Sequence, residues 1–295
     1  MNWLKGFRGN VKLKERLSGH TSFRIGGPCD YFLEPEDKED LKFLLGRLKR
    51  YKISFLVLGA GTNILASDKG LRKAVIRLSS PDFTRLTREG NYVEAGAGCF
   101  LARFISFTKK QGLGGNEFLS GIPGTIGGAL VMNAGGGRHG WAFGDLVKSA
   151  SVMDYNGKIA TLNRKQLRFG YRESNIRRCV VLSAKLKLET KKVEEIDNNL
   201  KGYVRLRRGS QDLGRPCAGS IFKNPGSEPA GRLIELCGLK GRRLGGAGVS
   251  VKHANFILNL GNARFADVSG LMGLIKRKVR DRFGITLEPE VEIWA

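Results

Sequence analysis

Two glycine clusters constrain this chain more than any other feature: L-G-A-G-T-N at residues 58–63 and S-G-I-P-G-T-I-G-G-A at 120–129. Glycine reaches backbone angles that other residues avoid, so such clusters imply tight turns laid around a ligand. The first follows an apolar run, F-L-V-L at 55–58, that reads as a buried strand. A strand followed by G-A-G raises a dinucleotide-binding turn, but the pattern fails. The third glycine of G-x-G-x-x-G would fall at Ile64, and S-D-K-G at 67–70 makes a turn where a long helix should run. What remains is a phosphate nest built from Gly59, Ala60, Gly61, Thr62 and Asn63. The second cluster, with Gly121, Pro123, Gly124, Thr125, Gly127 and Gly128, offers several free N–H groups ahead of a short helix over 128–133. The dipole of that helix would favour an anion. For either loop alone, a turn that binds nothing is the competing reading.

Periodicity organises the rest as an α+β chain. Residues 20–34 read as two short strands around a Gly-Gly-Pro turn. Leucines 41, 44, 45 and 48 mark a helix over 36–51. Strands are expected at 74–78, 92–95, 150–155, 180–188 and 255–260, and helices at 101–111 and 266–283. In the last helix Val268, Leu271, Met272, Ile275, Val279 and Phe283 share one face. The charged segment 189–199 reads as a connector. The expected division is a first unit over 20–188, with subdomains of about 20–78 and 79–188, a connector at 189–201, and a C-terminal unit over 202–295.

With 295 residues and 41% hydrophobic content, the chain is long enough for two or three packed units. The apolar runs are too short to cross a bilayer, and the first ten residues carry no apolar signal region. Five scattered cysteines without a C-x-x-C, and three distant histidines, argue against a metal site or a disulfide framework. Free thiols fit a cytoplasmic location. The formal net charge of +24 raises nucleic-acid contact. Its dispersal over short clusters at 49–52, 205–208, 240–243 and 276–282 favours a solvated surface that attracts anionic ligands, so neither nucleic acid nor membrane insertion is expected.

Taken together, nine blocks resemble the UDP-N-acetylenolpyruvoylglucosamine reductase family, in its order and over nearly the whole chain. They are T-S-F-R-I-G-G-P (21–28), L-G-A-G-T-N-I-L-A-S-D (58–68), F-L-S-G-I-P-G-T-I-G-G-A (118–129), M-N-A-G (132–135), F-G-Y-R-E-S (169–174), A-G-S-I-F-K-N-P (218–225), A-G-R-L-I-E (230–235), H-A-N-F-I (253–257) and L-E-P-E-V (287–291). The resemblance implies a two-subdomain FAD-binding unit of the PCMH or vanillyl-alcohol-oxidase type, with a smaller C-terminal α+β substrate domain. It implies non-covalent FAD on the two glycine loops, NADPH as hydride donor and a UDP-sugar enolpyruvyl ether as substrate. The oligomeric state is left open, with a monomer favoured.

The same resemblance implies three catalytic residues. Ser220 would give a proton to the α-carbon, Arg172 would clamp the carboxylate in a fork geometry that lysine lacks, and Glu290 would polarise or hold the enol. Tyr171, Lys223 and Asn224 would contact substrate. Each residue has a plainer reading. Ser220 could cap a turn, Arg172 and Glu290 could be solvated surface charges, and Lys223 and Asn224 could finish a loop. His253 reads as structural and His139 as loop surface. Ile221 stands where the family suggests an aromatic, Cys217 where a small polar residue is usual, and Gly248 where a longer side chain is typical. The short step from Arg172 to the next strand places the chain in the shorter class, without a tyrosine-bearing lid. Two other functions compete, a different PCMH-type oxidase and a nucleic-acid-binding protein on a degenerate flavin fold.

Overall fold

The computed structural model describes all residues except Met1, 136–139, Arg177, Leu213 and Ser227. His139 therefore lies outside the described residues. The chain groups into two compact units. One comprises Met1–Leu13, Tyr31–Ala60 and Arg72–Arg205; the other comprises Lys14–Asp30, Gly61–Leu71 and Leu206–Ala295. The first glycine loop is thus shared out, with Gly59 and Ala60 in one unit and Gly61, Thr62 and Asn63 in the other.

The first unit is built on two sheets. A four-stranded sheet runs in the order Asn10–Leu13, Cys29–Glu34, Leu71–Arg77, Phe55–Leu58. Its Phe55–Leu58 strand pairs parallel with Leu71–Arg77, from Phe55↔Ala74 to Leu58↔Arg77. Parallel neighbours need a crossover, and the glycine loop begins it. Helix Lys38–Arg50 buries the four expected leucines, 41, 44, 45 and 48, each at no more than 1% exposure. Its start is fixed by Asp37, whose side chain accepts a bond from the Asp40 N–H. The second sheet has five antiparallel strands, in the order Ile159–Asn163, Val147–Asp154, Cys179–Lys187, Tyr92–Gly96, Leu86–Glu89. Helix Leu101–Lys110 buries Leu101, Phe104 and Ile105, while Val93, Ala95, Val152, Leu182, Ala184 and Leu186 fill the same core.

The second unit carries a three-stranded sheet, Arg243–Leu244, Ala247–Val249 and Ile257–Asn259, with helices Ala230–Leu236 and Phe265–Phe283. The long helix buries Val268, Leu271, Met272, Ile275 and Val279, as its period requires, and stops at Gly284 in the left-handed region, φ 70°. Phe23, Ile25 and Leu65 join Ile221, Phe222 and Leu287 in this core.

Three local expectations need correction. Residues 20–34 hold one strand, Cys29–Glu34, not two. The stretch before it is folded into turns by Thr21 Oγ1 donating to the Ile25 carbonyl at 2.9 Å and by the Gly27 N–H donating to the Ser67 carbonyl at 2.8 Å. The connector at 189–199 runs into helix Val193–Ser210. That helix fully buries only Ile196, with Leu200 and Tyr203 partly buried against the same core, and Glu194 and Glu195 at its start and Arg207 and Arg208 at its end suit its dipole. The short helix expected at 128–133 starts earlier, as Ile126–Val131.

Candidate active site

In the second unit Ser220 opens a two-residue strap, Ile221–Phe222, that is bonded on both sides. On one side, the Ile221 N–H donates to the Asn255 carbonyl at 2.8 Å. The Asn255 side chain then takes both polar groups of Phe222: Oδ1 accepts from its N–H at 3.0 Å and Nδ2 donates to its carbonyl at 2.8 Å. On the other side, the Glu290 N–H donates to the Ile221 carbonyl at 2.8 Å, and the Lys223 N–H donates to the Glu288 carbonyl at 2.9 Å. Ile221 and Phe222 are fully buried in the apolar core while Ser220 is half-buried. Burial of the strap explains why its peptide groups are all paired. Ser220 and Glu290, 70 residues apart in sequence, are thereby brought onto neighbouring extended segments.

Residues of the first glycine loop enter the same unit. Gly61 adopts φ 65°, and a Cβ there would sit 1.9 Å from the His20 carbonyl oxygen, so only glycine fits. Its own carbonyl accepts from the Ser22 N–H at 3.0 Å, and Ser22 Oγ donates to the Cys217 carbonyl at 2.6 Å. Asn63 Nδ2 donates to the Glu290 carbonyl at 3.0 Å, and the Asn63 carbonyl accepts from the Glu292 N–H at 2.9 Å. Parallel pairing of Ile64–Ala66 with Glu292–Trp294 continues that contact. One amide donor of Asn63 thus holds the Glu290 chain. Lys223 Nζ lies 3.3 Å from Glu288 Oε2, and Asn224 Oδ1 accepts from the Ala230 N–H at 3.0 Å, at the start of helix Ala230–Leu236.

In the first unit the second glycine loop packs on the residues after strand Tyr92–Gly96. The Gly127 N–H donates to the Ala97 carbonyl at 2.8 Å and the Ile126 N–H to the Cys99 carbonyl at 2.9 Å. Thr125 caps the following helix, its Oγ1 accepting from the Gly128 N–H at 3.3 Å. These three N–H groups are therefore spent within the protein, which corrects the expectation that they face an anion. The loop keeps a backbone surface, with Gly121, Pro123 and Gly128 exposed. A Cβ on Gly59 would come within 2.8 Å of Thr125 Oγ1, so the missing side chain lets the two loops of this unit touch.

Tyr171 and Arg172 form the two-residue tip of a hairpin, between Phe169–Gly170 and Glu173–Ser174. Arg172 sits at φ 58°, a region that non-glycine residues seldom occupy. Its guanidinium donates to the Gly135 carbonyl and lies 5.2 Å from the centre of the Tyr171 ring. The hairpin base is fastened by buried Asn133, whose Nδ2 donates to the Gly170 carbonyl and whose Oδ1 accepts from the Gly144 N–H, both at 2.8 Å. Ser174 Oγ adds a bond to the Val131 carbonyl at 2.9 Å.

Burial lowers the pKa of His253 and raises the thiols of Cys217 and Cys99, with Cys29 pushed up to about 11. Such thiols are poor nucleophiles. Among the described residues there is no His/Cys/Asp/Glu group that could hold a metal and no helix long and apolar enough to cross a membrane.

These features have known counterparts. Residues 29–163 match the family model of an FAD binding domain, and residues 211–294 match that of the UDP-N-acetylenolpyruvoylglucosamine reductase C-terminal domain. The chain is 42% identical to the UDP-N-acetylenolpyruvoylglucosamine reductase of Caldanaerobacter subterraneus, over 97% of this chain and 94% of that one. It belongs to the UDP-N-acetylenolpyruvoylglucosamine reductase family. The Moorella thermoacetica reductase is 40% identical over 98% of this chain and 95% of its own. The crystal structure of the Thermus caldophilus reductase matches with a TM-score of 0.82 and 36% identity, covering 98% of this chain and 99% of that one.

For a member of this reductase family, three local departures have physical accounts. Ile221 is fully buried among aliphatic side chains. Cys217 contributes its carbonyl, which any residue supplies. Gly248 lies where a Cβ would meet Leu260 Cδ1 at 2.7 Å, so Leu260 occupies the space of a longer side chain. Sequence reasoning missed Asn255, Asn133 and Ser22, because each acts through backbone groups far away in the chain.

Proposed function

We propose that this chain is an NADPH-using reductase with Ser220 as proton donor. As a family member it is an FAD-dependent oxidoreductase that reduces UDP-N-acetylglucosamine enolpyruvate to UDP-N-acetylmuramate in peptidoglycan precursor synthesis. The observation that carries the site assignment is the 2.8 Å bond from the Glu290 N–H to the Ile221 carbonyl, which sets Glu290 beside the strap led by Ser220. FAD is the non-covalent cofactor of residues 59–63 and 121–128. Exposed Gly121 and Gly128 fit it by leaving backbone open to a pyrophosphate, whereas Gly59 and Gly61 lack a Cβ because Thr125 and the His20 carbonyl occupy that space. FAD held by these residues would supply the hydride-transfer chemistry between NADPH and the enolpyruvyl double bond.

The chain's own residues then manage the charge. Arg172 pairs with the substrate carboxylate and stabilises the negative charge that develops there. Ser220 Oγ gives its proton to the α-carbon, completing addition of one hydride and one proton across the double bond, and regains a proton from water. Glu290 holds the enol from the neighbouring segment. Tyr171, Lys223 and Asn224 bind substrate, and the C-terminal unit is the substrate-binding domain. A cytoplasmic monomer of the lid-less class fits this role.

The test follows the visible flavin spectrum of the purified holoprotein under anaerobic conditions. Bleaching by NADPH and recovery on adding UDP-N-acetylglucosamine enolpyruvate is the expected result. Bleaching without recovery would refute the substrate, and absence of bleaching would refute the nicotinamide donor.

A further inference from the structure

We propose that Asn255 is the positioning residue for the proton donor. The inference rests on the reading of Ser220 given above, and goes beyond it by naming what aims the hydroxyl.

Asn255 is 3% exposed and makes three bonds to the strap that follows Ser220. Its carbonyl takes the N–H of the Ser220–Ile221 peptide, its Oδ1 takes the next N–H, and its Nδ2 takes the Phe222 carbonyl. The two peptide planes immediately after the serine are fixed by one residue. The opposite edge is fixed by the 288–290 chain, so Asn255 and Glu290 hold Ile221 from either side while Glu288 holds Lys223. Residue 219 is a glycine at φ 74°, its N–H bonded locally to the Cys217 side chain. The bonds from Asn255 and Glu290 orient Ser220 from its C-terminal side. A bridge between Ser220 and Phe256 extends the same contact by one residue. Proton delivery to carbon is sensitive to such aim, because a misplacement of about 1 Å can cost roughly a hundredfold in rate.

The geometry separates this role from simple packing. Asn255→Asp keeps the shape and the Oδ acceptor but turns a carboxylate oxygen toward the Phe222 carbonyl. Asn255→Ser keeps the backbone bond to Ile221 and removes both side-chain bonds, and serves where the aspartate variant fails to fold. The experiment measures both half-reactions of the FAD-loaded variants by stopped flow, in H2O and D2O. Flavin reduction by NADPH should stay within about twofold, while reoxidation by the enolpyruvyl sugar falls about 10- to 100-fold with a larger solvent isotope effect. In a Ser220→Ala background, Asn255→Ser should add little further loss. Equal slowing of both half-reactions, an unchanged isotope effect, or full additivity with Ser220→Ala would overturn the proposal. Ser220→Ala by itself decides the underlying reading. If it slows reoxidation while Asn255→Ser does not, the positioning role alone fails. If it leaves reoxidation untouched, the serine reading fails and takes this inference with it.

Discussion

The strap after Ser220 and the hairpin tip at Arg172 are held in opposite ways. Ile221 and Phe222 are buried and held by hydrogen bonds of 2.8–3.4 Å from the Asn255 side and the Glu290 side. Arg172 stands on a two-residue turn at φ 58°, with its neighbour Tyr171 46% exposed. The hairpin is fastened at its base through Asn133 and Ser174, and at its tip by the Arg172 side chain donating to the Gly135 carbonyl. A proton donor must be aimed at one carbon, so a rigid backbone suits it. The clamp proposed for Arg172 would close on a ligand, and backbone strain of this kind is what a functional position tolerates when the surrounding fold insists on it.

The largest effect that would break this contrast concerns the chemistry. Ser220→Ala should slow flavin reoxidation by the enolpyruvyl sugar by roughly 10²–10⁴ while NADPH reduction stays near normal. Arg172→Lys should slow the same half-reaction by about 10², because charge survives and the fork does not. Near-normal turnover in either variant, read by stopped flow, would remove that residue from the mechanism.

Next comes the shared glycine loop. Gly61→Ala meets the His20 carbonyl at 1.9 Å in a left-handed conformation, and should cost about 2–4 kcal/mol in urea unfolding. Gly59→Ala meets only a rotatable hydroxyl at 2.8 Å and should cost about 1 kcal/mol, the worth of the Thr125 cap. Equal losses would mean that backbone strain at Gly61 contributes nothing.

The strain at the hairpin tip can be isolated by comparing Arg172→Gly with Arg172→Ala. Both lose the side chain, but glycine should be the more stable by about 1 kcal/mol, since only alanine keeps the left-handed penalty. Equal midpoints of denaturation would show that the turn relaxes.

The smallest effect belongs to His253, whose pKa burial lowers, with the Lys240 charge adding in the same direction. A histidine with a depressed folded pKa favours the neutral form in the folded state. Its contribution is full above the unfolded value of about 6.5 and is lost as pH falls from there toward the folded pKa. Melting curves from pH 7.5 down to 5.5 should show a decline that is shallower in His253→Gln. An identical decline would assign the acid sensitivity to other groups.

Much of this was legible in the chain before folding. Leucines 41, 44, 45 and 48 and the Val268-to-Val279 stripe announce their helices, because one buried face leaves a period in the sequence. The glycine loops and the nine ordered blocks pointed to the family, and the proposal of Ser220, Arg172 and Glu290 follows from that resemblance. Helix Val193–Ser210 was missed, because its apolar row, Ile196, Leu200 and Tyr203, is thinly spread through a charged segment. So were Asn255, Ser22 and Asn133, whose work is done on backbone groups that any residue could supply.

The division between sequence and tertiary structure follows from range. Local patterns set residue type and element, because helix period, turn angle and cap chemistry act within a few residues. Only the folded chain decided that residues 14–30 and 61–71 pack with 206–295, and that the Glu290 N–H reaches the Ile221 carbonyl. It also committed the Gly127 and Gly128 N–H groups to the protein itself. A hydrogen bond between distant residues depends on which surfaces are buried together, and that is a property of the packed core as a whole.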